Sequence, residues 1–149
     1  MVLDTNAVLD WLVFRDPGMQ PLGDWISRGM ARWVTTAAMR IELAHMLGHR
    51  SLHAWKPEGE RVLSVFDSLS RFIASPQPAR VPPLRCSDAD DQMFIDLALS
   101  CPARWLITRD RALLKLARRA RALGVEVLTP PAWCARHAPA VSPPDAHQP

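Results

Sequence analysis

The sequence predicts an α/β fold, with helices covering a central parallel sheet of about five strands. Short apolar runs alternate along the chain with longer stretches of helical apolar spacing, the order that a parallel sheet requires. The 149 residues are one domain's worth of chain, enough to bury a core without disulfides or a metal staple. With 48% apolar and 22% charged residues, the composition excludes extended disorder and a collagen-like repeat.

Met1 to Leu3 reads as a first strand, followed by helical spacing through Val8, Leu9, Leu12 and Val13 that Asp16-Pro17-Gly18 interrupts. A short helix from Leu22 to Arg28 stops at Gly29, and Arg32 to Thr36 is a second strand. Thr36 is a candidate N-cap for a helix from about Ala37 to Gly48. His49 to Gly59 reads as a loop and Glu60 to Ala74 as a helix. Prolines 76, 78, 82 and 83 bracket a short third strand around Arg80-Val81. Ser87-Asp88-Ala89-Asp90-Asp91 opens a helix with acids where the macrodipole favours them, and that helix ends near Cys101-Pro102. Trp105 to Thr108 is a fourth strand, Arg111 to Leu123 a helix stopped by Gly124, and Val125 to Leu128 a fifth strand. A turn of helix from Pro130 to Arg136 closes a domain of residues 1–136, and 137–149 reads as a disordered, proline-rich tail.

No apolar run reaches the 18 or so residues of a membrane span, and the opening residues read as a strand rather than a signal peptide. Cys86, Cys101 and Cys134 are odd in number and lack CxxC spacing, which suits a reducing, cytoplasmic setting. The net charge of +3 comes with 16 arginines among 18 basic residues. Arginine's planar fork suits phosphate, although a GC-rich genome yields the same bias.

In open α/β sheets the ligand site lies beyond the carboxyl ends of the strands. Asp4-Thr5-Asn6 follows the first strand, the helix carrying Glu42 follows the second, Asp88 to Asp91 follow the third, and Thr108-Arg109-Asp110 follow the fourth. Four crossovers thus each deliver a carboxylate to one rim. On a helical wheel, Phe94, Ile95, Leu97 and Ala98 define an arc centred near Asp91, whereas Asp96 falls about 140° away on the polar face. Glu42 lies at the edge of the arc of Met39, Leu43, Met46 and Leu47. At ~5 Å and an effective dielectric of ~20, each pair of such carboxylates costs on the order of 3 kcal/mol. A cluster of four therefore calls for a divalent cation or for proton uptake by one member. All-oxygen ligands point to Mg²⁺ or Mn²⁺ rather than zinc, and the matching chemistry is metal-assisted hydrolysis of a phosphodiester. Asp110 is equally placed to cap the next helix, and Asp88 and Asp90 read as caps and solvated charge.

The stretches Leu3-Asp4-Thr5-Asn6-Ala7-Val8-Leu9, Glu42 on its helix, Asp90-Asp91-Gln92-Met93-Phe94-Ile95-Asp96-Leu97-Ala98 and Leu106-Ile107-Thr108-Arg109-Asp110 resemble the PIN domain over about residues 1–133. They are most similar to bacterial PIN proteins described as toxin components of toxin–antitoxin systems, of the VapC type. The resemblance implies a three-layer α/β/α fold with five parallel strands and a Mg²⁺-dependent endoribonuclease. It implies Asp4, Glu42, Asp91 and Asp110 as the acidic site, supported by Asn6 and Thr108. It also implies a small cognate antitoxin as partner, and dimerisation. Asp90 replaces Asp91 in this set if the helix begins a residue earlier, and some relatives carry an acid at the position of Asp96. The proline-rich tail is no part of the pattern.

The stretch from Arg111 to Leu123 divides by face: Leu113, Leu116, Ala117, Ala120 and Leu123 on one side, Arg111, Lys115, Arg118, Arg119 and Arg121 on the other. Starting beside Asp110, this basic face is a candidate RNA guide, with a solvated surface helix or an antitoxin contact as the alternatives. The six tryptophans are scattered, as core anchors are, and Trp55, beside Lys56 and Pro57, is the one to test for base stacking. His45 and His49 lack a third ligand at zinc spacing. A phosphoacceptor receiver would carry a lysine after the fifth strand, where Thr129-Pro130-Pro131 stands. A phosphatase of the haloacid dehalogenase type would carry an aspartate where Asn6 stands. A PIN-like protein that binds RNA or a partner without cleaving is the remaining alternative.

Overall fold

The computed structural model of the chain describes residues 1–74 and 84–137. The elements run β1 (Val2–Leu3), α1 (Thr5–Leu12), α2 (Gln20–Ser27), β2 (Trp33–Thr35), α3 (Ala37–Leu47), α4 (Gly59–Leu69) and β3 (Ser70–Phe72). After the undescribed segment come α5 (Gln92–Ser100), β4 (Trp105–Ile107), α6 (Arg111–Leu114), α7 (Ala117–Ala122), β5 (Glu126–Leu128) and α8 (Pro130–His137).

The strands form two parallel ladders, one of three strands in the order β1-β4-β5 and one pairing β2 with β3. The Val34 N–H donates to the Met1 carbonyl at 2.9 Å, which sets β2 against the free edge of β1. The lateral order is therefore β3-β2-β1-β4-β5, and the chain reverses its winding between β1 and β4. Successive residues of a strand face opposite sides, and the core divides accordingly. Leu3, Trp33, Ile107 and Leu128 pack with α1, α2 and α8 in one cluster. Val2, Val34, Leu106 and Val127 pack with α5, α6 and α7 in the other. Helices on both faces make the three layers.

Three elements depart from the sequence expectation. The helix expected to reach Ala74 ends at Leu69, and the chain passes directly into β3. Pairing of Ser70, Arg71 and Phe72 with Trp33, Val34 and Thr35 overrides the local helical pattern. The strand expected around Arg80-Val81 lies outside the described residues, as does the tail from residue 138. The helix expected from Arg111 to Leu123 is two helices. At Leu116 the N–H bonds back three residues to the Leu113 carbonyl at 2.9 Å, a 3-10 turn that buries both leucines on the same side. The loop after α3 contains a six-residue 3-10 helix, Arg50–Trp55. The described helices include none long and apolar enough to cross a membrane, and the three cysteines are free thiols.

Gly23 shows how tightly α2 lies on α1. A Cβ built there would stand 2.1 Å from the Trp11 Nε1, and the Trp11 ring is itself held at 6.0 Å from Trp33. Glycine inside a helix ordinarily costs about 1 kcal/mol relative to alanine, so an open site would gain from the change. Here the sign reverses: Gly23→Ala is expected to lower stability by about 1–3 kcal/mol in urea denaturation, because the indole must shift. Stabilisation by the substitution would show that α2 does not approach Trp11 this closely.

Candidate active site

The carboxyl ends of β1 and β4, neighbours at the point where the winding reverses, carry Asp4 and Thr108. Asp4 belongs to two elements at once. Its N–H makes a sheet bond to the Ile107 carbonyl at 3.1 Å, while its side chain caps α1 by accepting from the Ala7 N–H at 2.6 Å. The second carboxylate oxygen accepts from the Thr108 hydroxyl, which in turn accepts from the Asp110 N–H at 2.8 Å. Asp4 is 2% exposed and Thr108 is fully buried. Asp110 caps α6, its Oδ1 accepting from the N–H groups of Ala112 and Leu113 at 2.6 and 3.2 Å. Thr108 thus ties the two acids together.

Asp91 is half-buried at the start of α5, near enough to the Asp110 carboxyl to feel its charge. Burial chiefly, then the charges of Asp110, Asp88 and Asp4, push its pKa up to about 7. Burial also pushes Asp4 up to about 6, against the pull of its bonds to Thr108 and Ala7 and with added repulsion from Asp110 and Asp10. Asp4, Asp91 and Asp110 therefore feel one another directly. Glu42 stands apart from this trio. Half-buried on α3 with the Thr5 hydroxyl beside it, it is raised by burial and feels Asp90 and Asp88. Its Oε2 is closed off from solvent with no hydrogen-bond partner.

Among the described residues, no three acidic, histidine or cysteine side chains converge closely enough to hold one ion. The expected set of four carboxylates around one point is not preassembled, and the capping bonds give the physical reason: they turn Asp4 and Asp110 toward their own helices. The donor set nevertheless suits a hard cation in two respects. Every candidate ligand is a carboxylate oxygen, and a cation would relieve both the burial that raises Asp4 and Asp91 and the orphaned Oε2 of Glu42.

Other expected residues fall as follows. Asn6 is exposed and makes no hydrogen bond to the acids: as the second residue of α1, it points away from the cap that Asp4 forms. Asp90 and Asp96 are exposed, Asp96 accepting from Gln92 Nε2 at 2.8 Å. Arg111, Lys115, Arg118 and Arg119 are all exposed, with Leu113, Leu116 and Ala120 buried behind them. His45 and His49 are exposed.

Sequence reasoning missed a bracket beside the acids. Arg109 pairs through Nε with Asp10 at 2.8 Å and through Nη2 with Asp16 at 2.9 Å, joining the end of β4 to α1 and to the turn after it. Asp10 is partly buried, and burial raises its pKa more than Arg109 lowers it. A signal existed: Asp10 lies about 60° from the buried Ala7 on the α1 wheel, an acid at an apolar edge that calls for a partner.

The PIN domain family model matches residues 1–112. The chain belongs to the PIN domain family. The match spans all four proposed acids and ends within α6, short of the expected reach to about residue 133, so α7, β5 and α8 lie beyond it. No curated protein matches the chain. PIN domains are generally nucleases that use divalent metal ions and bind nucleic acid, which makes this PIN protein, at that coarse level, a hydrolase of the nuclease type.

The raised pKa values carry a sign for stability. A folded state that holds protons more tightly than the unfolded chain loses stability as pH rises from the unfolded pKa near 4 through the folded values of about 6 for Asp4 and about 7 for Asp91. In EDTA, the PIN protein is expected to be less stable at pH 8 than at pH 5, with Asp4 alone contributing on the order of 1 kcal/mol of the difference. Asp4→Asn is expected to reduce that difference in denaturant titrations at the two pH values. An unchanged pH dependence in Asp4→Asn would contradict the burial of this charge.

Proposed function

We propose that the protein is a Mg²⁺-dependent endoribonuclease, with Mn²⁺ as an alternative ion, acting as the toxin of a type II toxin–antitoxin pair in the cytoplasm. The observation that carries the reading is the uncompensated acid cluster of Asp4, Asp91 and Asp110 at the reversal point of a PIN sheet. Asp4, Asp91 and Asp110 would hold the cation, with Glu42 joining from α3. When bound, the ion would polarise the phosphoryl oxygen and lower the pKa of a nearby water. Thr108 holds the Asp4 carboxylate in place, as a supporting group does for a ligand. Asp91 has no capping bond and a pKa near neutrality, so it is the member able to move and to exchange a proton. A small antitoxin and a second copy of the chain are the proposed protein partners.

The exposed side of α6 and α7 is the proposed track for the RNA backbone, through Arg111, Lys115, Arg118 and Arg119. PIN proteins that bind RNA without cutting it are the second reading, favoured by the lack of a preassembled three-ligand set among the described residues.

Cleavage separates the two. Purified protein is expected to cut RNA with Mg²⁺ and not with EDTA, and Asp91→Asn is expected to lower the rate roughly 100-fold or more without unfolding the chain. Cleavage that persists in EDTA or in Asp91→Asn would remove the acids from the chemistry. For the basic track, neutralising Arg118 and Arg119 together is expected to weaken RNA binding and flatten its log–log salt dependence by about 1.4. An unchanged slope would place the RNA elsewhere.

A further inference from the structure

A cleft of about 530 Å³ opens between the end of α1 and the start of α4. Trp11, Val62 and Val65 form its apolar floor, and Arg15, Lys56 and Arg61 stand on its rim with Trp55. Its size is that of a small-ligand site, and its lining is mixed, with charged and polar side chains set beside the apolar ones. Trp55 is the exception among the six tryptophans. It is 58% exposed, while Trp11, Trp33 and Trp133 are buried and Trp25 and Trp105 are packed at the core's edge. Phe14 meets its ring edge-on at 4.8 Å, an arrangement that steadies the indole without covering both faces.

Charge and backbone single out the same place. The rim holds three cations and one acid, Glu58, whose carboxylate lies 3.7 Å from Arg61. Arg15 and Lys56 both have positive φ, 53° and 44°. Each such residue costs on the order of 1–3 kcal/mol, and strain of this kind collects where ligands are clamped. The cleft is linked to the acids through α1 and the turn after it. Trp11 is seven residues along α1 from Asp4, about 10 Å of helix rise. Arg15 precedes Asp16, which is paired to Arg109, the neighbour of Asp110.

We propose that this cleft holds an unstacked base of single-stranded RNA against Trp55, while Arg15 and Lys56 meet the flanking phosphates. The inference rests on the nuclease reading above and adds to it a base subsite at the end of α1 opposite Asp4. An open indole framed by cations recognises a base and its phosphates together, since every base has a stacking face and every linkage a negative charge. An acidic peptide offers the charge without the ring.

The test uses the full chain carrying Asp91→Asn, so that RNA is not consumed, and measures binding of an eight-nucleotide oligouridylate by anisotropy. Adding Trp55→Ala is expected to weaken binding about tenfold, whereas Trp55→Phe retains most of it. Adding Lys56→Ala is expected to lower the log–log salt slope by about 0.7. Parental affinity in Trp55→Ala, or equal losses in the Ala and Phe variants, would overturn the subsite. Displacement of the oligonucleotide from Trp55→Ala and parent alike by a polyglutamate peptide would overturn it in favour of a protein ligand. If the wild-type protein fails to cut RNA yet binding depends on Trp55, the nuclease reading fails and the subsite stands. If it cuts RNA and Trp55→Ala binds normally, the subsite alone fails.

Discussion

The site depends on one hydroxyl. Thr108 donates to the buried Asp4 carboxylate and accepts from the Asp110 N–H, although 104 residues separate Thr108 from Asp4. Such a contact is available only because β1 and β4 are adjacent strands, which in turn follows from the order β3-β2-β1-β4-β5. The second oxygen of a carboxylate 2% exposed would otherwise sit unsatisfied in the core, where an unpaired polar group costs ~1–3 kcal/mol. Sheet order, helix capping and the gathering of acids are therefore one arrangement.

That arrangement holds two demands in opposition. Folding uses the oxygens of Asp4 and Asp110 to cap α1 and α6, which keeps both carboxylates turned toward backbone N–H groups. A shared cation would ask the same oxygens to turn outward. Asp91 and Glu42 carry no such duty, and they are where the strain appears: a pKa near 7 in one and an orphaned oxygen in the other. Arg109 is adjacent in sequence to Asp110, yet its guanidinium is taken up by Asp10 and Asp16.

Much of this was legible in the sequence because it is local. Thr36 and Asp110 read as caps from a polar residue ahead of helical spacing, and both cap in the fold. The wheel placed Asp96 outside and Asp91 toward the sheet, and burial agrees. What the sequence did not disclose is tertiary. β3 follows α4 without a break, and only its pairing with β2 distinguishes Ser70–Phe72 from another helical turn. The wheel gave Glu42 a direction but not its neighbours, which are Asp88 and Asp90 as well as Thr5. The Arg109 bracket joins residues more than 90 apart in sequence, beyond the reach of any periodicity.

The account's central claim is that Asp4, Asp91 and Asp110 can turn to share one divalent cation although their capped positions do not preassemble a cage. Titration of Mn²⁺ into the metal-free protein at neutral pH, followed by electron paramagnetic resonance, tests it most directly. Saturable uptake by the wild type that is lost in Asp91→Asn is the predicted result. Absence of saturable uptake, or uptake undiminished in Asp91→Asn, would contradict it.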